Sequence, residues 1–218
     1  MKKSLLMGIM GGMFLVGCNQ AEKPEAEAFD YTLEQFADLQ ILRYKVHGFE
    51  DLSLKQKELV YYLQEAALQG RDILFDQNGK CNLKIRRMLE TVYQDYQGDR
   101  TSADFAGLEV YLKRVWFSNG IHHHYAADKF VPGFSPEFFK AALESVDATK
   151  LPLGEGETLD DLCDEMFPVI FDSSVMPKRV NQADGEDLVL TSAANYYEGV
   201  TQKEAEDFYA SMKNPNDT

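Results

Sequence analysis

From residue 53 onward, apolar side chains recur every three or four positions, the spacing of helices that bury one face. Ser53-Leu54-Lys55-Gln56 has the form of a capping box and opens a helix. Leu54, Leu59, Val60, Leu63, Ala66 and Ala67 line its apolar face, and Gly70 is its stop. Asp76-Gln77-Asn78-Gly79 reads as a turn. It is not a calcium loop, because the glycine comes too early and no glutamate closes it. The spacing predicts a second helix over 83–96, with Ile85, Met88, Leu89, Val92 and Tyr96 on one side. A third starts near Asp104, carries Phe105, Leu108, Tyr111, Leu112 and Val115, and ends at Asn119-Gly120. Another runs from Pro136 to about Val146, with Ser135 as cap and proline at the first position. A further one follows Thr158 through about Phe167, and the last opens at the box Thr201-Gln202-Lys203-Glu204 and reaches Met212. Asp187–Ala193 is the best strand candidate, short and isolated. The predicted fold class is α+β, predominantly helical with little strand.

The two ends read differently. Lys2 and Lys3 precede an apolar run from Leu5 to Val16, which closes on Leu15-Val16-Gly17-Cys18. A basic start, a short apolar core and small residues describe a secretory signal. The run is shorter than the ~20 apolar residues of a spanning helix. Leu-Val-Gly-Cys resembles a bacterial lipobox. That implies residues 1–17 as signal peptide, lipid on Cys18, and anchoring to the periplasmic or outer face of a bacterial membrane. Residues 18–30, acidic and with Pro24, suit a flexible tether. Residues 31–218 make up the folded part. The chain closes on Lys213-Asn214-Pro215-Asn216-Asp217-Thr218, a polar loop composition that reads as a truncated frame or fragment.

The formal net charge is -14, and loss of Lys2 and Lys3 with the signal makes the remainder more negative. A nucleic-acid partner is excluded, because backbone phosphates need a basic surface. Cys81 and Cys163 lack framework spacing; an oxidising compartment permits a disulfide, but unpaired, mostly buried thiols are favoured. Neither belongs to a Cys-x-x-Cys pair. His122-His123-His124 invites a metal reading, yet adjacent residues cannot all face one ion without a sharp bend. A loop of partly exposed imidazoles after a helix cap is the reading preferred, with room for adventitious nickel or zinc. Asp164 and Glu165 belong to a solvated helix face.

The stretch Val115-Trp116-Phe117-Ser118-Asn119-Gly120-Ile121-His122-His123-His124-Tyr125, with Lys129-Phe130-Val131-Pro132-Gly133-Phe134, resembles a block near the front of dipeptidyl peptidase III. This zinc-dependent family removes dipeptides from peptide N-termini. A second block, Asn181-Gln182-Ala183-Asp184-Gly185-Glu186-Asp187 through Thr191-Ser192-Ala193-Ala194-Asn195-Tyr196-Tyr197-Glu198-Gly199-Val200-Thr201, resembles the family's bacterial branch. The resemblance runs from about Phe36 to the end of the chain. It implies part of the lower lobe of a two-lobed peptidase, with peptides as partners and one cleft wall carrying Asn119, Gly120, Tyr125, Asn195 and Tyr196. Amides and phenols there can hydrogen-bond an extended peptide. Asn119 as a helix cap and Tyr125 as a packed ring stand equally open, as do a turn-forming Asn195 and a packed Tyr196. The family's zinc is held by a His-Glu-x-x-Gly-His helix that this sequence does not contain. The resemblance therefore implies an N-terminal portion, inactive alone and with no catalytic or metal-ligating residue of its own. A lobe cut in this way is expected to expose apolar surface and aggregate. The competing expectation is a non-catalytic, lipid-anchored binding protein.

Overall fold

In the computed structural model, residues 29–213 are described. The signal, Cys18, the tether through residue 28 and the closing residues 214–218 lie outside them. The chain divides into two compact units, one ending at Val46 and one beginning at His47. That division falls inside the span the sequence reading takes as one folded part.

The first unit is a hairpin of β1 (Thr32–Phe36) and β2 (Leu39–Leu42), antiparallel, with a register irregularity between Thr32 and Glu34. The sequence reading places no strand here. The turn is made by Ala37, whose backbone is left-handed at φ 47°, and Asp38. Hairpins of this kind normally announce themselves with Asn-Gly or Asp-Gly, and Ala-Asp gives no such signal.

The second unit is helical. Its helices are α1 (Leu54–Gln69), α2 (Arg71–Asn78), α3 (Asn82–Asp95), α4 (Ala103–Ser118), α5 (Pro136–Glu144), α6 (Leu159–Phe171), α7 (Leu188–Thr191) and α8 (Gln202–Met212). Counting the two-stranded sheet of the first unit, the described residues are α+β and predominantly helical. Both expected capping boxes form: Ser53 with Gln56 and Thr201 with Glu204 each exchange side-chain and backbone hydrogen bonds. A third forms between Thr158 and Asp161.

Three segments correct the sequence reading. Asp187–Ala193 is a helical turn, not a strand. The Asp187 carboxylate accepts from the amides of Val189 and Leu190, both at 2.9 Å, and so closes the turn α7. Asp76–Asn78 belongs to the end of α2, a helix the sequence reading leaves out, with Gly79 as its cap. α6 passes through Pro168 instead of stopping near Phe167. Proline removes the bond to the carbonyl of residue 164, but Asp164 and Pro168 both lie on the exposed face, where a released carbonyl costs little because solvent can reach it. Buried Val169 and Ile170 carry the helix on.

The core lies between α3, α4, α5 and α6. Ile85, Met88, Leu89 and Val92 of α3 meet Leu108, Tyr111, Leu112 and Val115 of α4, closed by Phe139 and Leu143 of α5 and Leu162 and Met166 of α6. Phe134, Phe139, Phe167 and Phe171 form an edge-to-face and stacked cluster beneath them. Cys81 and Cys163 are free and buried. No helix among the described residues is long and apolar enough to cross a membrane.

Gly107 of α4 and Gly133 of the following loop touch backbone to backbone. A Cβ on Gly107 would lie 1.9 Å from the carbonyl oxygen of Gly133, and backbone cannot step aside as a side chain can. Gly107→Ala is expected to lower unfolding free energy by about 2–3 kcal/mol, as overpacking does, read by chemical denaturation. A loss within experimental error would show that the loop is not clamped against α4.

Candidate functional site

The end of α2 organises the region that holds parts of two sequence blocks, Val115–Tyr125 and Asn181–Thr201. Asn82, at the start of α3 and 1% exposed, spans three segments with one amide. Its Nδ2 donates to the Phe75 carbonyl of α2 at 3.1 Å, and its Oδ1 accepts from the Ile121 amide at 3.2 Å. Gly120 lies against that amide with φ +152°, and a Cβ there would come within 2.5 Å of Asn82 Nδ2. Position 120 therefore has room only for glycine.

Asn78, four residues earlier, works the same way. Its Nδ2 donates to the Asn119 carbonyl at 3.0 Å, and its Oδ1 accepts from Arg179 at 3.4 Å. The other arm of Arg179 donates to the His124 carbonyl at 3.1 Å. Asn195 joins from the second block: its backbone amide donates to the Gln77 carbonyl at 2.9 Å, and its Nδ2 reaches Asp76 at 3.5 Å. Two blocks about 75 residues apart in sequence are thus fastened to one helix end.

Each sequence-predicted residue can now be placed. Asn119 is the left-handed cap of α4, at φ 53° and ψ 44°, an energetically tolerable conformation for asparagine. Gly120 is buried against Asn82. Tyr125 is 89% exposed and packs against no core. Asn195 lines a groove of about 650 Å³ with Lys80, Glu186, Tyr197 and Glu198. Tyr196 is exposed beside it but is not among the groove's lining residues. The helix end thus brings Asn119, Gly120 and Asn195 into one framework, while Tyr125 and Tyr196 are exposed side chains outside it. Sequence reasoning missed Asn78, Asn82 and Arg179; apart from the Phe75 carbonyl, their partners named above lie 39 to 101 residues away and leave no local pattern.

Beyond the glycine, the chain returns as a strap. His123 and Phe130 donate backbone hydrogen bonds to Asp128 and Ile121, and the Lys129 amide donates to Pro177. Lys129 Nζ caps the end of α6, donating to the carbonyls of Val169 at 3.0 Å, Val175 at 2.6 Å and Asp172. A cation at a helix C-terminus also meets the negative end of the helix dipole. Burial nevertheless pulls the Lys129 ammonium below its usual range.

The three histidines do not share a surface loop as expected. His122 is 2% exposed. Its Nε2 lies 2.8 Å from the Met176 carbonyl, which only accepts, so the proton sits on Nε2. Its Nδ1 is buried with no partner among the described residues. His123 Nδ1 accepts from the amides of Tyr125 and Ala126 at 3.1 and 3.0 Å. His124 is exposed and His123 partly so. With these ring nitrogens already engaged or enclosed, the triplet does not converge on an ion. No group of three or more His, Cys, Asp or Glu among the described residues could hold one. These residues therefore do not fit the family's zinc.

No known protein-family profile matches this chain, and no curated protein matches it.

Two expectations follow. Burial, together with the cations Lys129 and Arg179, depresses the His122 pKa below 6.5, while the Met176 carbonyl and Asp128 oppose this. The unfolded chain therefore binds the proton more readily. Stability is fully present above about pH 6.5 and is lost as pH falls toward the folded value. His122→Phe should flatten this slope in denaturant titrations, and an unchanged slope would place the titration elsewhere. Lys129→Met, which keeps the stem and strands three carbonyls, should cost about 2–3 kcal/mol; a neutral outcome would mean the cap is not formed.

Proposed function

We propose that this chain is the leading, lower-lobe part of a dipeptidyl peptidase III-like exopeptidase and that it binds peptides without cleaving them. The observation that carries the reading is the shared anchorage of the two family-like blocks. Asn119-Gly120 and Asn195 are held by Asn78 and Gln77 at one helix end, as a cleft wall requires. Rigid placement of polar groups lets binding energy go into orienting a substrate instead of ordering the site.

The groove beside Asn195 offers chemistry suited to a peptide. Glu186 and Glu198 present carboxylates to a free N-terminal ammonium. The Asn195 side chain and the Tyr197 hydroxyl can serve backbone amides and carbonyls. Tyr196, exposed between the groove-lining Asn195 and Tyr197, offers a flat apolar face to a peptide side chain. In the resembled family zinc polarises the scissile carbonyl and activates water. This chain lacks that family's zinc motif, and the residues described above do not substitute for it. A lipid on Cys18 would hold this wall at a bacterial membrane surface.

A non-catalytic peptide binder would use the same groove, and turnover separates the two roles in the parent from the chain's own property. The test is titration of the purified chain with a short peptide bearing a free N-terminus and with its N-acetylated twin. The free peptide should bind, acetylation should weaken binding severalfold by removing the ammonium, and Asn195→Ala should weaken it about tenfold. Dipeptide release should be absent. Equal binding of both peptides would remove the role of Glu186 and Glu198, and stoichiometric zinc with dipeptide release by the chain alone would overturn the reading.

A further inference from the structure

Every carbonyl from Val175 to Arg179 accepts a hydrogen bond. The Lys129 ammonium donates to Val175 at 2.6 Å, His122 Nε2 to Met176 at 2.8 Å and the Lys129 amide to Pro177 at 3.1 Å. The amides of Ala193 and Ala194 donate to Lys178 and Arg179, both at 3.0 Å. The first three donors belong to the strap. The last two belong to the groove beside Asn195, which Met176 and Pro177 also line. This short segment therefore stands between strap and groove, and a movement of one reaches the other through it.

At its centre the backbone is strained. Met176 is left-handed at φ 49°, a conformation that is uncommon away from glycine and that a following proline disfavours further. Such a residue keeps its shape only where its surroundings over-determine it. His122 supplies part of that restraint, and does so as a neutral ring. Its Nε2 proton is already given to Met176, and its Nδ1 is enclosed with no partner among the described residues. A second proton would sit on Nδ1, facing no acceptor. The charges around the ring make this worse. Lys129 is tied to three carbonyls, and Arg179 to the Asn78 side chain and the His124 carbonyl. Neither cation can swing away without giving up its own bonds. From α4, Arg114 adds positive charge over the Phe130 ring of the strap at 5.3 Å. Asp128 draws the other way, but it is exposed and paired with Lys178. Burial, with Lys129 and Arg179 nearby, accordingly holds the ring's pKa below its ordinary value.

We propose that His122 is a proton-operated latch. Neutral, it holds Met176 and with it the groove wall; on taking a second proton it leaves its site and releases the strap and the wall together. The direction follows from linkage. The released ring takes a proton near the ordinary histidine value of 6.5, the latched ring only at lower pH. The released fraction therefore rises as pH falls below about 6.5, by up to about tenfold per pH unit, until the latched value is reached. The inference concerns the form of the wall and holds whatever the groove binds.

Hydrogen exchange on the full chain across this pH range, expressed as protection factors so that the intrinsic pH dependence of exchange cancels, tests it. The amides of Lys129, Ala193 and Ala194, which donate to Pro177, Lys178 and Arg179, should lose protection together as pH falls. They should remain at least about tenfold less protected than the buried Ile85 of α3, the mark of a local opening. His122→Gln, whose side-chain amide can still donate to Met176 but does not titrate, should abolish the fall. Ring-nitrogen NMR of the parent chain needs no variant. It should show the Nε2–H tautomer at neutral pH and protonation over the same range in which the three amides are released. Loss at Lys129 with Ala193 and Ala194 still protected would overturn the link to the groove. Exchange of all three together with Ile85 would leave only global unfolding. An unchanged fall in His122→Gln, or protonation of His122 with protection intact, would overturn the latch itself.

Discussion

One buried side-chain amide, that of Asn82, sets the geometry on which the candidate site depends. With one donor and one acceptor it joins the end of α2, the start of α3 and the exit of α4. No backbone ladder links these three segments, so the amide does the work that a sheet does in other folds. Burial makes the arrangement decisive. An unpaired buried amide costs about 1–3 kcal/mol, so any displacement of Ile121 or Phe75 raises the energy of the whole junction. Gly120 follows from the same constraint, since any Cβ would occupy the place of the amide.

Around that junction the molecule repeats one device, a polar side chain satisfying main-chain groups of distant loops. Asn78 serves Asn119, Arg179 serves His124, and Lys129 serves three carbonyls at the end of α6. Asp187 serves α7 and the first turn of α8 together, accepting from the Gln202 amide as well. Hydrogen bonds from the amides of Leu190, Gln202 and Val189 hold its carboxyl below the usual range. The loops between helices are therefore fixed rather than slack, which is what a binding wall on loops requires. By contrast, the rings of Tyr125 and Tyr196 are exposed.

The helices were legible wherever local chemistry decides them. Ser53, Ser102, Ser135, Thr158 and Thr201 all cap helices through their hydroxyls, and the faces read for α3 and α4 are buried as their periodicity implies. Three kinds of feature were not legible. The Val-Leu run after Asp187 carries strand propensity, and the carboxylate cap overrides it. Ala37 supplies a left-handed turn without glycine or asparagine. Periodicity showed that α1 has an apolar face but not what covers it, and among the described residues nothing buries it. Of the candidate site, the sequence marked the ends of the two blocks. It could not mark Asn78, Asn82 or Arg179, because their partners are brought near only by the completed fold.

Hydrogen exchange at the amides of Ile121 and Asn195, in the parent chain and in Asn82→Ala, tests this account most directly. Ile121 donates to Asn82 itself, whereas Asn195 donates to the same α2 end two residues beyond Phe75. A single junction requires both amides to be protected in the parent chain and to lose protection together in the variant. Loss at Ile121 with Asn195 still protected would mean that the two blocks are held separately, and the shared wall would not exist.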